Sequence, residues 1–359
     1  MRRRCVCVVV FCLMLLGTGA ALAAEGRTPV YQPGPIPASG KYIVTRNILG
    51  SIIIQAPDVD LDLNGFIVSG GAAAGPVIMI VPPADHVVVR NGTLASGNNC
   101  IGTLPGPGYR KVVIEDILCR DVTSDGFAVA TVESAVVRRT QVTNAAGWGI
   151  NWTAMNTAVG EIEHNVIRRS GGGIYVVGAS SLTIAHNTVE SLTGVQPLGY
   201  GIFVDQSQGA LVSENTIESA STDGIYFRTT YASKIFDNVV ERSTNHGIHL
   251  NPASFNNLVL KNNSSNNGGA AGLPGCGLWV ESTMNLIEGN ILNGNSSYGL
   301  LFTGCGNGFG RNMARGNAGA MVICPGNPPL TPPESCNQTF NCAPYNNATS
   351  QQNLIPNLF

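Results

Sequence analysis

Along most of the chain, short apolar runs alternate with polar residues at a period of two and are broken by Gly, Asn and Ser. That pattern predicts many short strands and no helix. Five stretches align on one template: "GGIYVVGASSLTIAHNTVES", "YGIFVDQSQGALVSENTIES", "DGIYFRTTYASKIFDNVVER", "HGIHLNPASFNNLVLKNNSS" and "CGLWVESTMNLIEGNILNG". Each holds a Gly, a strand, a polar turn, a second strand, then an Asn and a third short apolar run. The Gly falls at 126, 149, 173, 201, 224, 247, 277 and 299, with steps of 23, 24, 28, 23, 23, 30 and 22. A polar residue follows the second strand at Asn64, Asn91, Asp116, Thr140, Asn165, Asn187, Asn215, Asn238, Asn262, Asn290 and Asn312, eleven positions in all.

A fixed repeat of this length is the signature of a solenoid. Three short strands per repeat leave no room for a helix, so the expected fold is all-β: a single-stranded right-handed parallel β-helix of about eleven coils. At the interstrand spacing it forms a rod of roughly 50 Å. The recurring Asn predicts a ladder of stacked carboxamides satisfying buried turn backbone. A leucine-rich repeat would demand Leu at several fixed positions, whereas these coils interchange Ile, Val and Phe.

The ends differ from the middle. MRRR, the apolar run Cys5 to Leu16 and Ala21-Leu22-Ala23 have the layout of a secretory signal peptide over 1–23. An extended, Pro-rich lead-in is expected over 24–45 and the β-helix over 46–323. A Pro- and Cys-rich C-terminal cap is expected over 324–359, because a solenoid must block its open ends. The protein is therefore expected to be exported, periplasmic or extracellular, with no later membrane span. Seven of the ten Cys lie beyond the leader: Cys100, Cys119, Cys276, Cys305, Cys324, Cys336 and Cys342. In an oxidising compartment they read as disulfide formers with open pairing, at least one being left over.

Composition narrows the function. Among 359 residues only 12% are charged and the formal charge is −2, falling to −5 without the leader's three Arg. Lys occurs only at 41, 111, 234 and 261. No basic stripe exists to follow a phosphate backbone, so nucleic acid is not an expected partner.

The run "LDLNGFIVSGG", then "HVVVRNGTLASG", then the series "GIxxxxxxxxxIxxNxI" resembles exported bacterial right-handed parallel β-helix proteins of the pectin-lyase-like, PbH1-repeat kind, over about residues 40 to 320. The resemblance implies that fold. Function has to come from a site, because pectate lyases, polygalacturonases, epimerases, tailspikes and non-enzymatic members share it.

The longest steps insert "TGVQPLGY" (193–200) and "NNGGAAGLPGC" (266–276) at one corner, framing the strands that start at Gly201, Gly224 and Gly247. If the residue after each Gly points inward, the second and fourth point outward. The second row is Asn151, Tyr175, Phe203, Tyr226, His249, Trp279 and Leu301; the fourth includes Asp205, Arg228, Asn251 and Glu281. Rings beside polar groups suit a saccharide. Tyr175, Phe203, Tyr226, Asn251, Trp279 and Glu281 are the candidate substrate contacts. Asp205, Arg228 and His249 are the leading catalytic candidates, with Asp223 and His246 behind them.

"STDGIYF" and "TNHGIHL" resemble the Asn-Thr-Asp and Gly-His-Gly motifs of polygalacturonases at Asp223 and His246, but the paired Asp-Asp and the Arg-x-Lys motif are missing. Asp205 and Glu281 share a row three coils apart, roughly 14 Å, too far for paired hydrolytic carboxylates. A lyase or epimerase needs a base and a cation beside a uronate carboxylate. Arg228 and His249 supply those types, with Tyr226 as an alternative acid, although Asp205 and Arg228 also read as an ion pair. No cofactor is expected; Ca²⁺ stays open as a metal, without a clear acidic cluster to hold it. The first reading is therefore binding of an acidic polysaccharide or cell-surface glycan, with cleavage or epimerisation as the accompanying chemistry. The second is a non-catalytic surface, adhesive or periplasmic scaffold. Oligomeric state is left open.

Overall fold

The computed structural model describes residues 26–323, apart from 72–74, 105, 107–108, 195–197, 269–274, 305 and 319–321. The signal-peptide and C-terminal-cap expectations lie outside these residues, as do the middles of both inserted loops. Among the described residues there is no helix, and every strand pairing is parallel, each strand bonding to its counterpart in the next coil. No helix among them is long and apolar enough to cross a membrane.

One coil shows the rule. Ile202–Asp205, Ala210–Ser213 and Thr216–Glu218 form its three sides. The first aligns Ile202 with Ile174 behind and Ile225 ahead, and the column runs on through Ile248, Leu278 and Leu300. All six are fully buried. Each contributes roughly 1.5–3 kcal/mol of transfer free energy, so the repeated branched residue after the Gly is the column that defines register.

The Gly beside that column has a steric cause. Gly201, Gly247 and Gly277 have no positive φ. A Cβ on Gly201 would lie 2.5 Å from the carbonyl oxygen of Gly224, and on Gly277 2.8 Å from that of Gly299. Successive coils approach too closely here for any side chain.

The Asn ladder is present over the seven coils from Asn165 to Asn312. The backbone N–H and side-chain amide of Asn165 both donate to Oδ1 of Asn187, at 3.0 Å. Asn187, Asn215, Asn238, Asn262 and Asn290 each repeat this toward the next Asn. Thr140 joins at the N-terminal end by donating to Asn165. Asn64, Asn91 and Asp116 do not. They sit one position earlier, in a row of left-handed residues that continues through Arg139, His164, His186, Glu214 and Asp237. Asn and Asp tolerate that conformation, which is why they mimic ladder positions in the sequence.

Two further ladders occupy other turns of the C-terminal coils. Asn257 donates to Asn285 and Asn285 to Asn307; Asn267 donates to Asn295 and Asn295 to Asn317. Coil pairing also starts earlier than the predicted boundary of 46. Thr28–Val30 aligns with Tyr42–Val44, and Gly34–Ile36 with Ile52–Ile54. Pro29 and Pro35 lack an N–H but do not prevent these edge strands from accepting bonds. Cys100 and Cys119 form a buried disulfide, while Cys276 is a free, buried thiol.

Candidate functional site

A diagonal rule builds the site. The residue just before the Gly of one coil meets the second residue after the Gly of the next coil. Trp148 stacks on Tyr175 at 5.1 Å, Tyr200 on Tyr226 at 5.1 Å, and His246 leans on Trp279 at 4.7 Å. Asp223 reaches His249 by the same step, its Oδ2 lying 3.0 Å from Nδ1. Strand spacing alone hid these partners, because the chain turns at the Gly instead of running on extended.

The second outward row holds the expected register: Asn151, Tyr175, Phe203, Tyr226, His249, Trp279 and Leu301 align in successive coils. Its rings follow one another at 5.0, 4.9, 4.8 and 4.4 Å from Tyr175 to Trp279. His249 and Trp279 are stacked with their planes nearly parallel, at 9°. The faces are thus turned toward neighbouring coils and the polar tips outward, so the expected platform of open ring faces is instead a row of ring edges. Phe203, expected on the sugar-facing surface, is buried, because Tyr200 and Trp148 pack over it into a small apolar cluster on the outside of the rod. Tyr175, Tyr226 and Trp279 stay half-buried.

At the centre of the charged coils His249 lies between two carboxylates. Asp223 accepts the backbone N–H of His246 on Oδ1 and faces Nδ1 of His249 with Oδ2. Nε2 of His249 lies 3.0 Å from Oε2 of Glu281. Burial lowers the pKa of His249, but its bonds to Asp223 and Glu281 outweigh this and hold it above the ordinary range, and a carboxylate facing each ring nitrogen favours the protonated ring. Glu281 has 24% of its side chain exposed against 6% for Asp223, which makes Glu281 the solvent end of the array. His246 behaves oppositely: burial pushes its pKa down to about 4. Its Nδ1 accepts the N–H of Cys276 at 3.3 Å, placing the proton of the neutral ring on Nε2. Burial also pushes the Cys276 thiol up to about 12, leaving it unreactive.

The expected grouping of Asp205, Arg228 and His249 is resolved differently. Asp205, 1% exposed, bonds Arg228 through two contacts, Nε–Oδ1 at 2.9 Å and Nη2–Oδ2. The guanidinium rests 5.0 Å over the Phe203 ring and is 44% exposed. His249 belongs instead with Asp223 and Glu281. Asn251 holds its own turn by accepting the N–H of Ala253, and Tyr226 interacts with it. Among the described residues no three His, Cys, Asp or Glu side chains are placed to hold a metal ion.

Sequence reading missed Trp148 and Asp125. Asp125 receives the N–H of Trp148 on Oδ1 and the side-chain amide of Asn151 on Oδ2, at 2.7 and 2.8 Å. The separations of 23 and 26 residues equal those from Asp223 to His246 and His249. That shared spacing was the available signal.

Among solved structures, a mutant of the periplasmic alginate epimerase AlgG matches with a TM-score of 0.52 at 14% identity, over 73% of this chain and 64% of that one. The chain thus spans less than two thirds of the epimerase's length. DFA-IIIase from Arthrobacter chlorophenolicus A6 matches with a TM-score of 0.50 at 16% identity, over 76% of this chain and 80% of that one. At such identities the likeness is one of fold. No curated protein matches the chain in sequence. The family model "Right handed beta helix region" matches residues 125–279 and 188–327, more than half of the chain. With parallel coils, an inward Ile column and an Asn ladder all in register, this chain belongs to the right-handed β-helix proteins.

Proposed function

We propose that this exported protein binds an acidic polysaccharide on the face carrying Tyr226, His249 and Trp279, and acts there on a uronate unit by β-elimination or epimerisation. The observation that carries this reading is the hydrogen-bonded array Asp223–His249–Glu281, buried at one end and open to solvent at the other. Both nitrogens of His249 are engaged, so the ring positions Glu281 and does not itself serve as the base. Glu281 takes the proton from the carbon beside the uronate carboxylate. Arg228, backed by Asp205 and exposed on its outer side, neutralises the carboxylate as charge develops. Tyr226 returns a proton, either to the opposite face of the carbon or to the departing glycosidic oxygen. Hydrolysis fits less well, because Asp205 and Asp223, the other carboxylates of this face among the candidates, are both buried. The Cys100–Cys119 disulfide supports an oxidising compartment, and the polysaccharide-acting enzymes of similar fold support the substrate class.

The test is incubation with a panel of polyuronates and neutral glycans. Absorbance of the unsaturated product detects elimination, proton NMR detects inversion at the carbon, and retention on immobilised glycan detects binding. Turnover of a polyuronate, lost in Glu281→Gln, is expected; no turnover and no retention on any glycan defeats the proposal. A scaffold without catalysis is the second reading. The burial of Phe203, Tyr200 and Trp148 against one another favours it, since part of the ring row is satisfied without a ligand.

A further inference from the structure

The repeat of the Asp223–His249 geometry at Asp125 and Asn151 lies on the same face of the rod. Asn151, Tyr175, Phe203, Tyr226 and His249 are register partners in successive coils. Four steps of the interstrand spacing separate Asn151 from His249 by roughly 19 Å, on the order of four sugar units. Asp125 is half-buried, and no cation is among its bonded partners: one oxygen takes the Trp148 N–H, the other the Asn151 amide. Burial accordingly raises its pKa, against the two bonds that lower it. Asn151 spends one amide N–H on Asp125 and, half-buried at the surface, keeps a carbonyl oxygen and a second N–H. Tyr175, one coil away, stacks on Trp148 and turns its hydroxyl toward Arg228, so it walls this end of the face with its ring.

We infer that Asn151, held by Asp125 beside the Tyr175 ring, forms a second saccharide subsite, which takes the hydroxyls of a sugar unit about four units from the one at His249. The inference rests on the reading of this face as a polysaccharide site and adds a minimum chain length to it. The unit held here is recognised through hydroxyl groups, because a uronate carboxylate would face the Asp125 carboxylate without a cation between them. The Asn151 amide fixes both donors and acceptors toward solvent, as a hydroxyl pair requires.

The experiment is calorimetric titration of the whole protein with oligogalacturonates and oligomannuronates of two to eight units, alongside Asn151→Ala and Asp125→Ala variants whose melting temperatures are checked. In the unmodified protein, affinity for one of the two series is expected to step up by about tenfold once the oligomer reaches the second subsite. Asn151→Ala removes the step and leaves the affinity of two- and three-unit oligomers unchanged. If either variant unfolds, the other carries the test, since each removes a different contact. Binding with no step, or a step unchanged in both variants, overturns the second subsite and leaves the face as a polysaccharide site. No binding at any length overturns both.

Discussion

Asp125 and Asp223 stand at equivalent corners, each accepting the backbone N–H of the residue 23 positions on and contacting the side chain 26 positions on. The backbone answer is the same in both; the side chain that completes it is not. Asn151 is neutral, so Asp125 keeps a charge that burial disfavours and its pKa rises. His249 meets a carboxylate at each ring nitrogen, so it is held by Asp223 and passes the connection on to Glu281 at the surface. One structural device, an Asp that ties two coils together, thus serves in one place as an uncompensated polar anchor and in the other as the buried end of a proton-handling array. The change from Asn to His turns a fixed hydrogen bond into a titratable one.

Breaking the array at its solvent end gives the largest expected effect. Glu281→Gln lowers turnover of the responsive polyuronate by about 10²–10⁴-fold, the usual range for a lost acid–base group, with little change in melting temperature; loss of activity only in parallel with unfolding would mark Glu281 as structural. Removing the buried end comes next. Asp223→Ala strands the His249 imidazolium and the His246 N–H, a cost of about 3–5 kcal/mol in denaturant unfolding. Asp125→Ala breaks no charge pair and costs about 1–3 kcal/mol; equal losses in the two variants would erase the distinction.

Converting one copy into the other is a sharper probe. His249→Asn restores the bond seen at Asn151, so it keeps the fold and glycan retention while turnover falls as far as in Glu281→Gln. Retained turnover would show that the imidazole does not position Glu281.

The smallest effects are in pH. The pKa of His249 is raised in the fold, so its contribution to stability is present in full below the ordinary value of 6.5 and is lost as pH rises through the raised value. His246 has a folded pKa of about 4, so the unfolded chain takes up protons first and stability falls as pH drops from 6.5 through about 4. Asp125, raised above 3.8, adds stability as pH falls through its raised value. Melting curves of Asp125→Asn against pH should therefore part from the unmodified protein in acid, whereas those of His249→Asn differ from it up to pH 6.5 and converge on it as pH rises through the raised value. An Asp125→Asn gap that does not open in acid, or a His249→Asn gap that does not close toward alkaline pH, would contradict these assignments.

How much of this was legible depends on the range of the interaction. The apolar column and the Gly beside it repeat in every coil from Gly126 to Gly299, and a contact made identically many times leaves a period in the sequence. The ladder from Asn165 to Asn312 was legible for the same reason. Asn257, Asn285 and Asn307 recur with the same steps of 28 and 22 as Asn262, Asn290 and Asn312, yet ladders only three members long were lost among abundant turn Asn. Asn64, Asn91 and Asp116 were placed a position out because a left-handed turn residue and a ladder residue share a chemistry. At the site, His249, Glu281 and Tyr226 were on the expected row. Asp223 stands behind Asp205 in the sequence because only an incomplete motif points to it, and the turn at Gly224 that brings it to His249 leaves no strand period.

The sequence by itself determined the coil, its period and which residues face outward, since those follow from side-chain alternation and from a core that only branched apolar residues can fill. The Asp205–Arg228 pair, aligned in adjacent coils, was already readable from the repeat; only the tertiary structure decided that Asp223 reaches His249 and Glu281, and that the rings present edges. Those outcomes depend on which side chains meet diagonally across two coils at a corner, and no single repeat contains both partners.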